Sequence, residues 1–203
     1  MKSIEEQIFY ITKSIGRGYT FSGRDFIDKF NSVNLDKALS NLAKENKIRR
    51  IIRGIYDFPK YSTLLKQYLS PEIDKVAQAI ARKFNWRIEP SGDTALNLLG
   101  LSTQVPGRYI YFSDGPDREY EILGNKLEFK RIALKDIGFK YPESALLVQA
   151  LKALGKENIT NDIIAQLKHK INKKLYTKII KDTKTVNEWV YSAIKQICYE
   201  HGE

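Results

Sequence analysis

Ile4, Ile8, Ile11 and Ile15 recur at spacings of three and four, so a helix over 3–15 would carry them as one apolar stripe. Ser3 followed by Glu6 has the spacing of a capping box, in which each side chain satisfies a free backbone N–H at the helix start. Gly16-Arg-Gly18 ends that helix, and Tyr19-Thr-Phe21 reads as a short extended piece. Ser22 and Asp25 cap a second predicted helix with Phe26, Ile27 and Phe30, and after a turn Asn34 caps a third over 35–45. In the third helix Leu35, Ala38, Leu39 and Leu42 face inward, which leaves Asp36, Lys37, Ser40, Asn41 and Lys44 outward. The pattern then changes to β-branched and aromatic residues in Lys47-Ile-Arg-Arg-Ile-Ile-Arg-Gly-Ile-Tyr-Asp-Phe-Pro59, a predicted two-stranded ribbon. Its turn falls at Arg53-Gly54, because glycine tolerates a positive φ.

Helix, short strand, helix, turn, helix and ribbon is the order of a winged helix-turn-helix, predicted over 1–60. The remainder, 61–203, reads as a mixed α/β domain with a helical C-terminal part, so the fold class is α+β. A connector helix or linker occupies 61–69, and a helix over 71–84 has Pro71 at its start, acids in its first turn and bases in its last. A strand at 86–88 and a capped helix over 90–101 follow. Three strand-like runs come next, 108–113, 119–123 and 126–132, the last two joined at Gly124-Asn125. Helices are predicted over 142–154, 161–171, 175–180 and 186–199.

Charge sharpens this picture. The net charge is +10, and the segments 1–60, 61–140 and 141–203 carry +5, +2 and +3, so the basic excess is densest where the winged helix is predicted. Lys37, Ser40, Asn41 and Lys44 suit a recognition helix, since Asn and Ser can bond base edges and Lys can bond phosphate or guanine. Lys47, Arg49, Arg50 and Arg53 lie on the ribbon, with the arginines near its tip, where a wing meets phosphates or enters a minor groove. These eight residues are the candidate contacts to double-stranded DNA. The alternatives are a hairpin kept soluble by its charge and a winged helix that only holds a protein partner.

No apolar run approaches the roughly 18 residues of a membrane span. The first residues lack the apolar core of a signal peptide, so a cytoplasmic protein is expected. A single cysteine, Cys198, allows neither an internal disulfide nor a Cys-based zinc site, and its place beside Ile194 and Ile197 suggests a buried thiol. No cofactor or metal is expected.

Three segments together carry a family resemblance. Arg53-Gly-Ile-Tyr-Asp-Phe-Pro59, then Pro90-Ser-Gly-Asp-Thr-Ala-Leu-Asn-Leu-Leu-Gly-Leu101, then Gly107-Arg-Tyr-Ile-Tyr-Phe-Ser-Asp-Gly115 resemble the AbiEi-type antitoxins, in particular a branch defined as a domain of unknown function. The resemblance runs from about residue 3 to 155. It implies an antitoxin of a bacterial toxin–antitoxin or abortive-infection module, paired with a nucleotidyltransferase-like toxin and repressing its own operon through the winged helix.

One constellation points instead to catalysis. Pro116-Asp117 and Glu128-Phe-Lys130 fit the Pro-Asp…Glu-x-Lys pattern of restriction-type nucleases, in which two carboxylates hold Mg²⁺ and a lysine works at the scissile phosphate. Against it, Leu127 and Phe129 would take the buried face of the strand, leaving Glu128 and Lys130 on a solvated side. Asp117 sits among ordinary turn-formers. His169 and His201 lack partners for metal or triad chemistry, Ser91-Gly-Asp93 resembles a helix cap, and Lys168–Lys174 reads as a solvated helix end. A non-enzymatic protein is the expectation.

Overall fold

A computed structural model describes residues 2–102, 104, 107–133 and 138–199. The chain divides into two compact units, residues 1–86 with 120–127, and residues 87–119 with 128–203. The fold class is α+β, as the sequence pattern implies.

The first unit opens with α1, Ile4–Ile15, closed at its start by the expected capping box and at its end by Gly16. Strand β1, Thr20–Phe21, leads into a single 3-10 turn, Gly23–Phe26, where a second helix was expected. Ser22 and Asp25 do form a capping box there. Beyond it the N–H groups of Lys29 and Phe30 both bond back to the Phe26 carbonyl, so the chain turns toward the next cap, Asn31, without building a helix. Helix α2, Ser32–Lys44, is capped three residues before the predicted cap: the Asn31 side-chain carbonyl accepts from Val33 N–H at 3.1 Å, and Asn34 lies in the first turn.

The ribbon is β2, Arg49–Ile52, and β3, Ile55–Asp57, turning at Arg53-Gly54 with Gly54 at φ +77°. Strand β1 pairs antiparallel with β3, so the sheet order is β1-β3-β2 and the central strand is wholly buried. The core gathers Ile8, Phe21, Phe26, Leu35, Leu39, Leu42, Ile48 and Tyr56. Phe21 stands at its centre, 5.2 Å from the Tyr19 ring and 5.5 Å, edge to face, from Phe26.

The segment expected as a connector helix or linker is a small hairpin, β4 (Tyr61–Ser62) and β5 (Gln67–Tyr68), locked by a Tyr61–Tyr68 edge-to-face contact. Helix α3, Ile73–Phe84, belongs to this same unit, which therefore extends past residue 60 to Trp86. Val76, Ala77 and Ile80 are fully buried along it, and Arg82 donates to the Asp25 carboxylate at 2.7 Å and to the Thr20 carbonyl at 2.8 Å.

In the second unit β6, Ile88–Pro90, pairs antiparallel with β7, Arg108–Ser113. With β8, Arg118–Ile122, and β9, Asn125–Arg131, they make a sheet of order β6-β7-β9-β8, whose β8–β9 tip is grouped with the first unit. The hairpin turn falls one residue before the predicted Gly124-Asn125: Leu123 and Gly124 take φ +48° and +85°, the pair of positive angles a tight two-residue loop needs.

Helix α4, Gly92–Leu98, packs on α5, Pro142–Leu154, so closely that a Cβ at Gly92 would stand 2.7 Å from the Ala153 methyl. Helices α6 (Asn161–Lys170), α7 (Tyr176–Asp182) and α8 (Glu188–Ile197) complete a core around Leu147, Leu151, Leu167, Ile179 and Ile194. The Asp182 carboxylate, at the end of α7, accepts from the N–H groups of Lys140 and Tyr141 at 3.1 and 3.0 Å, ahead of α5. Cys198 is buried in this core, and burial pushes its thiol up to about 11. No helix among the described residues is long and apolar enough to cross a membrane.

Glu89, on β6, is only 4% exposed and accepts from Gly138 N–H at 3.2 Å. Burial raises its pKa, an effect that the backbone donors at Phe139 and Gly138 oppose. A carboxyl with a raised native pKa contributes stability that is full below the unfolded value, about 4.3, and is lost as pH rises through the native value. Glu89→Gln should therefore flatten the pH dependence of stability. Thermal unfolding from about pH 4 to 7 should show the variant gaining on the wild type as pH rises.

Candidate nucleic-acid interface

At 100° per residue, the α2 positions opposite the buried Leu35, Ala38, Leu39 and Leu42 are Val33, Lys37, Ser40 and Lys44. Lys37 and Lys44 are exposed and Ser40 is half-buried. Asn41 lies on the flank of this face, toward α1, and its amide donates to the Glu5 carboxylate at 3.1 Å. The Glu5 carboxyl is held below its ordinary value by a backbone N–H bond first and then by that amide. Asn41 thus joins two helices. Lys47, just past α2, is bound to Glu45 at 2.8 Å, both side chains being about half exposed.

The three arginines of the ribbon divide by the pleat and by tertiary contacts. Arg49 turns to Asp57 on the neighbouring strand in a two-pronged pair, Nε to Oδ1 at 2.9 Å and Nη2 to Oδ2 at 2.5 Å, while Nη1 donates to the Leu69 carbonyl at 3.0 Å. The Asp57 side chain is 2% exposed, so Arg49 neutralises a buried charge and ties the base of the ribbon to the β4–β5 hairpin. Arg50 and Arg53 are exposed, and among the described residues neither is in an ion pair.

Arg50, Arg53 and Ser40 converge on a depression of about 440 Å³ that Arg24, Ser32, Asp36, Gly54, Tyr56 and Lys83 also line. Lys83 Nζ donates to the Arg53 carbonyl at 3.2 Å, directly at the ribbon turn. Of the eight residues singled out in the sequence, three therefore share this depression. Lys37 and Lys44 stand on the outer face of α2, Lys47 is ion-paired, and Asn41 and Arg49 hold the fold together. Arg24 and Lys83 escaped the sequence pattern. Arg24 sits in a turn whose local role is capping, Lys83 ends a helix where cations are ordinary, and only the tertiary fold brings them together.

The residues of the nuclease pattern take other partners. One oxygen of Asp117 accepts from Arg131 N–H at 2.6 Å and closes the open end of the β8–β9 hairpin. Glu128 is 8% exposed, not solvated as expected, because β9 is an interior strand covered on both faces at this point. Its carboxylate faces Arg108 at 3.6 Å, and Lys130 is exposed. Among the described residues no three His, Cys, Asp or Glu side chains are grouped so as to hold a metal. Ser91 caps α4, accepting from Thr94 N–H at 3.4 Å, and Lys168 donates to the Tyr199 carbonyl at 2.6 Å. His169 is exposed on α6, and His201 lies outside the described residues.

Residues 4–179 match the family described as a family of unknown function, DUF6088, and the chain belongs to that family. Comparison with curated proteins gives no match.

Proposed function

We propose that this member of DUF6088 is the cytoplasmic DNA-binding antitoxin of a toxin–antitoxin or abortive-infection module and represses its own operon. The observation that carries the DNA-binding part is the placement of Arg50 and Arg53. Both are exposed on a β-ribbon that follows directly on a helix with Lys37, Ser40 and Lys44 turned outward. The order α1, β1, 3-10 turn, α2, ribbon, with β1 on the outer edge of β3, supports a winged helix-turn-helix in which α2 enters a major groove and the ribbon is the wing. A basic ribbon tip suits phosphate or minor-groove contacts, and Ser40 and Lys37 suit base edges.

The antitoxin part rests on the resemblance of the wing ending, the segment from Pro90 to Leu101 and the strand that follows to AbiEi-type antitoxins. The toxin would be a nucleotidyltransferase-like protein encoded beside it, and the second unit would serve the antitoxin role. A promoter–reporter fusion in cells tests the combined proposal. Co-expressed wild-type protein should lower reporter output, and the Arg50→Ala/Arg53→Ala variant, at equal abundance, should restore most of it. Equal repression by both proteins would contradict the proposal.

One observation favours a second reading, a purely protein-binding antitoxin: the tip of the β4–β5 hairpin leaves Leu64 90% and Leu65 57% exposed. Leu64→Ser/Leu65→Ser should leave repression intact if DNA binding is the function of the first unit. If only the protein partner matters, this variant should abolish neutralisation while the arginine variant has no effect.

A further inference from the structure

Arginines of the first unit with a structural task are given a partner. Arg17 donates to the Pro59 carbonyl at 2.8 Å, Arg49 is paired with Asp57, and Arg82 with Asp25. Arg24, Arg50 and Arg53 break this rule. They come from three places in the chain, the 3-10 turn, β2 and the ribbon turn, and line one depression together with Lys83 of α3. Among the described residues none of these three arginines is in an ion pair. The single acid among the residues lining the same depression is Asp36, set against these three arginines. Gathering like charges costs free energy unless an anion neutralises them.

The position of Lys83 is built, not incidental. Its Nζ donates to the Arg53 carbonyl, and a Cβ added at Gly54 would stand 2.6 Å from that nitrogen, so the ribbon turn rests against the ammonium. Ser32 and Ser40 of α2 add hydroxyls to the same wall. Guanidinium forks, an ammonium and hydroxyls are the donor set for a phosphodiester.

We propose that this depression is a phosphate-binding notch that receives one backbone phosphate of the bound duplex, with Arg24 and Lys83 as DNA-binding residues outside the helix and wing. The inference rests on the DNA-binding reading above and specifies where its sequence-independent contacts lie. A backbone phosphate is favoured over a free anion because the notch is lined by both Ser40 of α2 and Arg53 of the ribbon turn, the two elements assigned to DNA.

The test uses the full chain with Arg24→Ala, Lys83→Gln and Lys83→Arg, and titrates a duplex from the gene's own promoter and a scrambled duplex at several salt concentrations. Arg24→Ala and Lys83→Gln should each weaken both duplexes by a similar factor, about tenfold, and make the log–log salt slope shallower, the two together by about 0.9 because they serve one phosphate. Lys83→Arg should recover most of the loss. Arg24 is exposed, so its variant keeps the test sound even if Lys83→Gln loosens the ribbon turn. Unchanged slopes in a wild-type background that binds DNA would overturn the notch alone, and a wild type that binds neither duplex would overturn the DNA-binding reading and the notch together. Inorganic phosphate, followed by amide shifts, is the control for a free anion. Saturable shifts lost in Arg24→Ala, with unchanged DNA slopes, would also overturn the proposal.

Discussion

Replacing Arg49 with Ala is expected to destabilise the first unit by about 3–5 kcal/mol, the cost typical of stripping the partner from a buried charge. The asymmetry of the pair makes the prediction specific. The Asp57 side chain is 2% exposed and cannot reach water when its partner is gone, whereas that of Arg49 is 28% exposed and can. Asp57→Ala should therefore cost less than Arg49→Ala, which also loses the bond to the Leu69 carbonyl. The double replacement Arg49→Met/Asp57→Leu should cost least of the three, since it leaves no unpaired charge. Urea unfolding of the four proteins measures this order directly. If Arg49→Ala stayed within about 0.5 kcal/mol of wild type, a range ordinary for surface changes, Arg49 would be a surface group and not a strut.

The second large effect belongs to Arg50 and Arg53. Their joint replacement by Ala is expected to lower affinity for promoter DNA by about 100-fold, since phosphate or base contacts by arginine contribute about 1–3 kcal/mol each. Stability should barely move, because both side chains are exposed and among the described residues neither forms an ion pair. That separation distinguishes them from Arg49, which the sequence alone places in the same group. A triple variant that included Arg49 would mix unfolding with lost contact, and its weak binding would say little about the wing. Fluorescence anisotropy at fixed salt gives the affinity, and a melting curve on the same samples gives the control.

The elements that sequence pattern made legible are those whose signals are local. The Ile4–Ile15 stripe, its capping box, the Arg53-Gly54 turn and the helix Ile73–Phe84 all depend on residues within a few positions of one another. The 3-10 turn at Gly23–Phe26 was hidden because its cap is genuine: Ser22 and Asp25 make the bonds of a helix start, and a turn, not further helix, follows. The β4–β5 hairpin was hidden because its strands are two residues each, too short for an alternating pattern. In the candidate site the limit was different. Side chains fit for DNA contact were recognisable by type, but not their partners. Asn41 is drawn to Glu5, 36 positions away, and Arg49 also holds Leu69, 20 positions away. Conversely, Arg24 of the 3-10 turn and Lys83 of α3 share a depression with Arg53 only through the tertiary fold of the first unit, which extends to Trp86 and not to residue 60.

These diversions reduce the interface to a smaller set. Lys37, Ser40 and Lys44 on α2 and Arg50 and Arg53 on the ribbon remain as contacts to test, flanked by Arg24 and Lys83. The salt dependence of wild-type binding to its own promoter tests the central claim most directly. With one phosphate in the notch and others at Lys37 and Lys44, log affinity should fall linearly with log salt at a slope near −0.9 per phosphate, about −2 to −3 for this set. The promoter duplex should also stay well ahead of a scrambled one at every salt concentration. A flat salt dependence, or equal affinity for the two duplexes throughout, would contradict the account.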